Sequence, residues 1–357
     1  MDKLKELRKL LLELNVDGLL ITSAQNRRYI TGFTGSAGVV LISANEAKLH
    51  VDFRYVEQAT KQAIGFDIVK HKSNTINEIA NSVSVQSELI GIKKLGFEQE
   101  HLSFGAFKIY EETLSSQLVP TSGIIEKLRM IKTDEEIDTI KTAAKIADGA
   151  FNHILEFIRP GISEKEIANE LELFMREQGA DSSSFDTIVA SGYRSVFPHG
   201  VATPKIIEYG EMVTLDFGAL YKGYRSDITR TIAIGEADEQ LKEIYYVVKE
   251  ALSLGVKGMK PGLSCKAGDK IVRDYITERG YGEYFGHGTG HGLGLDLHEL
   301  PFLSAVADHV LQPNMVITVE PGIYIPHLGG VRIEDDIVIT DNGSERLTHS
   351  TRELVFI

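Results

Sequence analysis

Leucines at positions 4, 7, 10, 11 and 14 recur among lysine, arginine and glutamate. That 3.6-residue stripe predicts an amphipathic surface helix rather than a secretion signal. Short β-type runs follow at Gly18 to Thr22 and Gly38 to Ile42. Helical spacing returns over residues 54–64, 76–86 and 102–114. The alternation predicts a small α/β domain over residues 1–126. The pattern then changes. Thr133 with Glu136 reads as a capping box opening a long helix. Its apolar face is Ile137, Ile140, Ala144, Ala147, Phe151, Ile154, Leu155 and Ile158, and Pro160-Gly161 ends it. A boundary near 125–132 leaves residues 127–357 as a second, larger domain.

That second domain carries a faint internal repeat. Pro160-Gly-Ile-Ser163 opens a helix, with Glu166 completing a capping box, and Pro261-Gly-Leu-Ser264 opens another. A long amphipathic helix precedes each (134–158 and about 238–258). Two strand-like runs follow each: Met212–Phe217 with Tyr224–Ile234, then Met315–Glu320 with Val331–Thr340.

The repeat matters because of where it puts charge. Carboxylates avoid strands packed on a core, yet Asp216 lies inside Met212–Phe217. Alternation places it on the face of Thr214, opposite to Val213, Leu215 and Phe217. With a turn centred near 221–222, Asp216 would face Asp227 on the returning strand. Like charges so placed repel unless a cation sits between them. The second half repeats the arrangement, with Glu320 ending one strand and Glu334 in the next, Arg332 on the same face.

Glycine occupies every even position from Gly286 to Gly294. Extended, such a run is bare on one face, and His287, Thr289, His291 and Leu293 share the other. Bare backbone permits close approach of another segment or a ligand. The strict alternation does not match the G-x-G-x-x-G of nucleotide loops, and His298-Glu299 is followed by Phe302 where a zincin would need histidine. His199 and His298 each lie upstream of a carboxylate pair. Four carboxylates and an imidazole form a hard ligand set suited to Mn²⁺, Co²⁺ or Zn²⁺. Two such ions sharing a water would make it a nucleophile at neutral pH, so metal-assisted hydrolysis is the expected chemistry.

Bulk properties narrow the setting. The net charge is −13, and basic clusters are absent, which argues against a nucleic-acid partner. Cys265 is the single cysteine, as in a reducing compartment. No apolar run approaches the roughly 20 residues that span a bilayer. A cytoplasmic location is expected, with neither membrane nor nucleic acid as partner.

The ordered set Asp216, Asp227, His291, Glu320 and Glu334 resembles the dimetal site of the pita-bread metallopeptidases. The contexts match too: Thr-Leu-Asp216-Phe-Gly, Ser-Asp227-Ile-Thr-Arg, Gly-Thr-Gly-His291-Gly-Leu-Gly, Val-Glu320-Pro-Gly-Ile-Tyr and Arg-Ile-Glu334-Asp. Thr31-Gly-Phe-Thr-Gly-Ser-Ala-Gly38 and Asp52-Phe-Arg-Tyr55 resemble, more weakly, the creatinase-like N-terminal domain of the prolidase and aminopeptidase P branch. The implied fold is α+β: a pita-bread domain with an internal pseudo-twofold, preceded by a creatinase-like α/β domain.

The resemblance implies that Asp216 chelates one metal, Asp227 and Glu334 bridge two, and His291 and Glu320 complete the other site. Glu320 would also shuttle the proton of a metal-bridging hydroxide. His199 and His298 would hydrogen-bond substrate and oxyanion, His287 would line the proline pocket, and Arg332 would fix a ligand carboxylate. The implied activity is hydrolysis of Xaa-Pro bonds, in dipeptides or at peptide N-termini, with two divalent ions, Mn²⁺ foremost. A homodimer is implied. The competing readings are a pita-bread binding protein without catalysis, which the intact ligand set opposes, and methionine-aminopeptidase-like specificity, which the extra domain opposes.

Overall fold

The computed structural model describes residues 3–357. The chain forms two compact units, one ending at Arg129 and the other spanning Met130–Ile357.

The first unit is built on a six-stranded mixed sheet. Its strands are β1 (Gly18–Ile21), β2 (Val39–Ser43), β3 (Ala47–Val51), β4 (Asp67–Lys70), β5 (Lys94–Glu98) and β6 (Gln117–Thr121), in spatial order β4-β3-β2-β1-β5-β6. The central β1 and β2 are buried along their whole length, as continuous apolar runs require. Pro120 sits in β6 at the sheet edge, where a missing N–H is tolerated. The helix expected at 76–86 extends over Ile76–Ile90. Thr75 caps its start, and Gly91, at φ 84°, caps its end.

In the second unit the expected helices form as Asp134–Phe157, Glu164–Glu177, Glu239–Gly258 and Cys265–Glu278. Both capping boxes, Thr133 with Glu136 and Ser163 with Glu166, are present. Each helix pair packs on the sheet of its own half, and Ile137, Ile140 and Ala144 of the first helix also reach Val316 and Val338 of the second half's sheet. Ala147, Phe151 and Ile154 pack with Val213, Leu215 and Phe217 in one core. Val248 and Leu252 pack with Ile317, Val319, Ile337 and Ile339 in the other. At about 1.5–3 kcal/mol per fully buried large aliphatic or Phe side chain, these two cores anchor the strands from which the carboxylates project.

The register differs from the expectation. The turn is Lys222-Gly223, both at positive φ, and Tyr221 pairs with Tyr224. A two-residue turn of this type matches strand twist. It sets Asp216 opposite Thr229 rather than Asp227. The two aspartates are therefore diagonal neighbours. The runs expected at Tyr224–Ile234 and Val331–Thr340 are also each broken. The strands are Tyr224–Arg225 and Ile228–Ala233 in one half, and Gly329–Arg332 and Asp335–Ile339 in the other. Asp227 and Glu334 occupy the breaks.

Candidate metal centre

The two halves converge on a cavity of about 600 Å³ lined by His199, Asp216, Asp227, His287, His291, His298, Glu320, Arg332 and Glu334, among others. Every site residue expected from the sequence therefore lines one cavity. Within it, ligand atoms of Asp227, His291 and Glu334 lie within 4.8 Å of one another. His291 Nε2 is 3.8 Å from Asp227 Oδ2 and 3.6 Å from Glu320 Oε1. Asp216 is held by Arg332, whose Nη2 donates to Oδ2 at 2.7 Å.

Glycine explains how the histidines reach this point. Only Gly290–Gly292 of the glycine run is a strand. A Cβ on Gly290 would stand 2.0 Å from the Thr318 carbonyl oxygen, and one on Gly292 would stand 2.2 Å from that of Leu300. The bare face is thus filled by neighbouring backbone. Leu293 and Thr289 turn away from the cavity: Leu293 is core, and Thr289 donates to Asp269 through its N–H and its hydroxyl. Arg273, on the same helix as Asp269, donates to the His287 carbonyl oxygen at 2.7 Å. His291 Nδ1 lies 3.0 Å from the Gly292 carbonyl oxygen. Donation there leaves the lone pair of Nε2 facing the carboxylates, the tautomer that binds metal.

The electrostatics of the cluster is unfavourable without a cation. Burial, then Glu334 and Asp216, holds the Asp227 carboxyl well above the usual carboxylate range. Burial, then Glu320 and Asp216, does the same to Glu334. Burial raises Glu320 to about 7 and lowers His291 to about 4. Asp216 Oδ1, Asp227 Oδ1 and Glu334 Oε1 are buried without a hydrogen-bond partner. Buried polar atoms are ordinarily satisfied. Three carboxylate oxygens orphaned beside an imidazole lone pair fit a divalent metal, whose charge and coordination would meet both deficits.

His287 is half-buried, with its ring edge-on to Phe285 at 5.0 Å. Burial lowers it to about 4, so it is neutral at pH 7. Its Nδ1 lies 2.8 Å from the Gly288 carbonyl oxygen and its Nε2 2.9 Å from the Tyr324 hydroxyl. With both nitrogens engaged, it offers the cavity its ring. Tyr324 is a residue the sequence reading missed. Its oxygen also accepts from Arg332 Nη1 at 2.8 Å, linking His287 to Asp216 through Arg332. The Glu320-Pro-Gly-Ile-Tyr context pointed to it without giving it a partner. His298 stacks edge-on against His291 at 4.3 Å, and His199 lies exposed on the rim.

Two carboxylate-bearing half-domains around an orphaned oxygen cluster describe a metallohydrolase, and the comparisons agree. Residues 138–341 match metallopeptidase family M24, and residues 3–131 match the creatinase/prolidase N-terminal domain. The chain belongs to metallopeptidase family M24. It is similar to the solved Xaa-Pro dipeptidase from Bacillus anthracis, at 57% identity and TM-score 0.98 over 100% of this chain and 99% of that one. It is also similar to the prolidase from Pyrococcus horikoshii, at 42% identity and TM-score 0.93 over 99% and 100%. The X-Pro aminopeptidase from Thermotoga maritima matches at 38% identity and TM-score 0.89 over 96% and 98%. No helix among the described residues is long and apolar enough to cross a membrane.

Proposed function

We propose that this protein is a two-metal exopeptidase that hydrolyses the bond before proline in dipeptides or at peptide N-termini, with Mn²⁺ as the preferred ion. The observation that carries the reading is the buried cluster of Asp227, His291 and Glu334 with its orphaned carboxylate oxygens. The names of the three solved relatives support the specificity. Asp216, Asp227, His291, Glu320 and Glu334 would hold the ions. Bound there, divalent ions lower the pKa of water and polarise the scissile carbonyl.

The chain's own groups would do the rest. Glu320, whose Oε1 lies 3.6 Å from His291 Nε2, would take and return the proton of the attacking water. His199 and His298 would donate to the substrate carbonyl as negative charge develops. Phe185, Ile188, Leu297 and Phe302 line the cavity and give it an apolar wall. An apolar slot without an acceptor suits the tertiary amide of an Xaa-Pro bond, which has no N–H. An Xaa-Ala substrate would bury an unpaired donor there, at about 1–3 kcal/mol. A homodimer in the cytoplasm completes the proposal, on the family resemblance and the single buried cysteine.

The test is hydrolysis of Ala-Pro, Ala-Pro-Ala, Ala-Ala and Met-Ala by Mn²⁺-loaded enzyme. At least one of the proline substrates should be cleaved about tenfold or more faster than Ala-Ala, since about 1.4 kcal/mol is a factor of ten. Faster cleavage of Met-Ala than of either proline peptide would move the protein to methionine-aminopeptidase-like specificity.

A further inference from the structure

The strand breaks that hold Asp227 and Glu334 are related by the internal repeat, and so are the residues two positions beyond each. Those residues are Thr229 and Asp336, both fully buried. Each reaches across to the carboxylate residue of the other half. The Thr229 hydroxyl donates to Glu334 Oε2 at 2.6 Å, and the Thr229 carbonyl oxygen accepts the Glu334 N–H at 3.0 Å. Asp336 Oδ2 accepts the Asp227 N–H at 2.9 Å. The Thr229 oxygen also accepts from Arg332 Nε at 3.1 Å, so the direction of its one proton is fixed toward Glu334.

The consequence is selective. The Thr229 hydroxyl engages Oε2 and leaves Oε1 of Glu334 as the orphan. Asp336 ties down the backbone of Asp227 without touching its carboxylate, so Oδ1 stays buried without a partner and Oδ2 faces His291 Nε2 at 3.8 Å. We propose that Thr229 and Asp336 are positioning residues that aim Glu334 Oε1 and the Asp227 carboxylate at the metal centre, each half orienting the other's ligand. The proposal rests on reading Asp227 and Glu334 as ligands. Groups that orient metal ligands typically change metal affinity by about 10–100-fold when removed.

The test measures Mn²⁺ affinity by chelator competition and the visible absorption spectrum of the Co²⁺-loaded protein, with far-UV circular dichroism to confirm folding. Thr229→Val should weaken Mn²⁺ binding by about 10–100-fold and alter the Co²⁺ spectrum. Thr229→Ser, which keeps the hydroxyl, should restore both. Asp336→Ala should weaken binding similarly, while Asp336→Asn, which keeps an acceptor oxygen, should lie close to wild type. Should the valine protein not fold, Thr229→Ala removes the same hydroxyl and carries the same expectation. Wild-type affinity and an unchanged Co²⁺ spectrum in a folded variant lacking the hydroxyl would reduce Thr229 to a packing role and overturn the proposal. Failure of the wild-type protein to bind Mn²⁺ would instead overturn the ligand reading beneath it.

Discussion

Glu98 in the first unit and Glu334 in the second are both buried glutamates at the ends of strands, and they are treated oppositely. Glu98 accepts the N–H of Thr22 and of Ser23 through Oε2 and the amide of Asn26 through Oε1, at 2.6–2.8 Å. Arg129 donates in turn to Asn26 at 2.8 Å. Glu334 has Thr229 on one oxygen and nothing on the other, with Asp216, Asp227 and Glu320 for neighbours. The first is a finished structural bond set. The second is a cluster whose folding penalty is tolerated because a cation can relieve it. A saturated buried carboxylate marks architecture, and an orphaned group of them marks a site.

The strongest challenge to this contrast is removal of one cluster charge. Asp227→Asn should abolish tight metal binding and lower kcat/KM by about 10³-fold or more, since bound ions supply several kcal/mol to a hydrolytic transition state. Metal content by atomic absorption and assay of proline peptides read this out. An active variant with two ions still bound would remove Asp227 from the site.

A smaller effect comes from Glu320 in chelated protein. Its folded pKa, about 7, is raised above the ordinary 4.5. Such a group contributes stability that is complete below about pH 4.5 and is lost as pH rises through about 7. Wild-type stability relative to Glu320→Gln should therefore fall across that window, by on the order of 3 kcal/mol. Urea unfolding of both proteins at pH 4.5, 6 and 8 checks it. A difference independent of pH would show that Glu320 does not share in the crowding.

The smallest effect sharpens the contrast by sign. Glu98→Gln loses charge-assisted hydrogen bonds and should destabilise by about 2 kcal/mol. Glu334→Gln relieves like-charge repulsion and should leave metal-free protein as stable as wild type or more so, while lowering its Mn²⁺ affinity. Denaturant midpoints of the two variants under chelation decide the matter. Destabilisation of both to the same degree would erase the distinction drawn between the two carboxylates.

Much of this was legible in the sequence because it is local. Caps such as Thr133 with Glu136 act over three residues, and apolar faces repeat within one helix. Asp216, Asp227, His291, Glu320 and Glu334 stood out as polar residues in or beside runs that otherwise belong to a core. The even-numbered glycines foretold close backbone approach, and a segment of the chain itself fills that space. What only the tertiary structure decided is pairing. The Lys222-Gly223 turn shifted the register so that Asp216 opposes Thr229. Arg332 reaches Asp216 across 116 positions, and Thr229 reaches Glu334 across 105. Tyr324 joins His287 to Arg332. Such partners are chosen by how two sheets and their helices pack, and alternation along one strand fixes a face without fixing what stands opposite it.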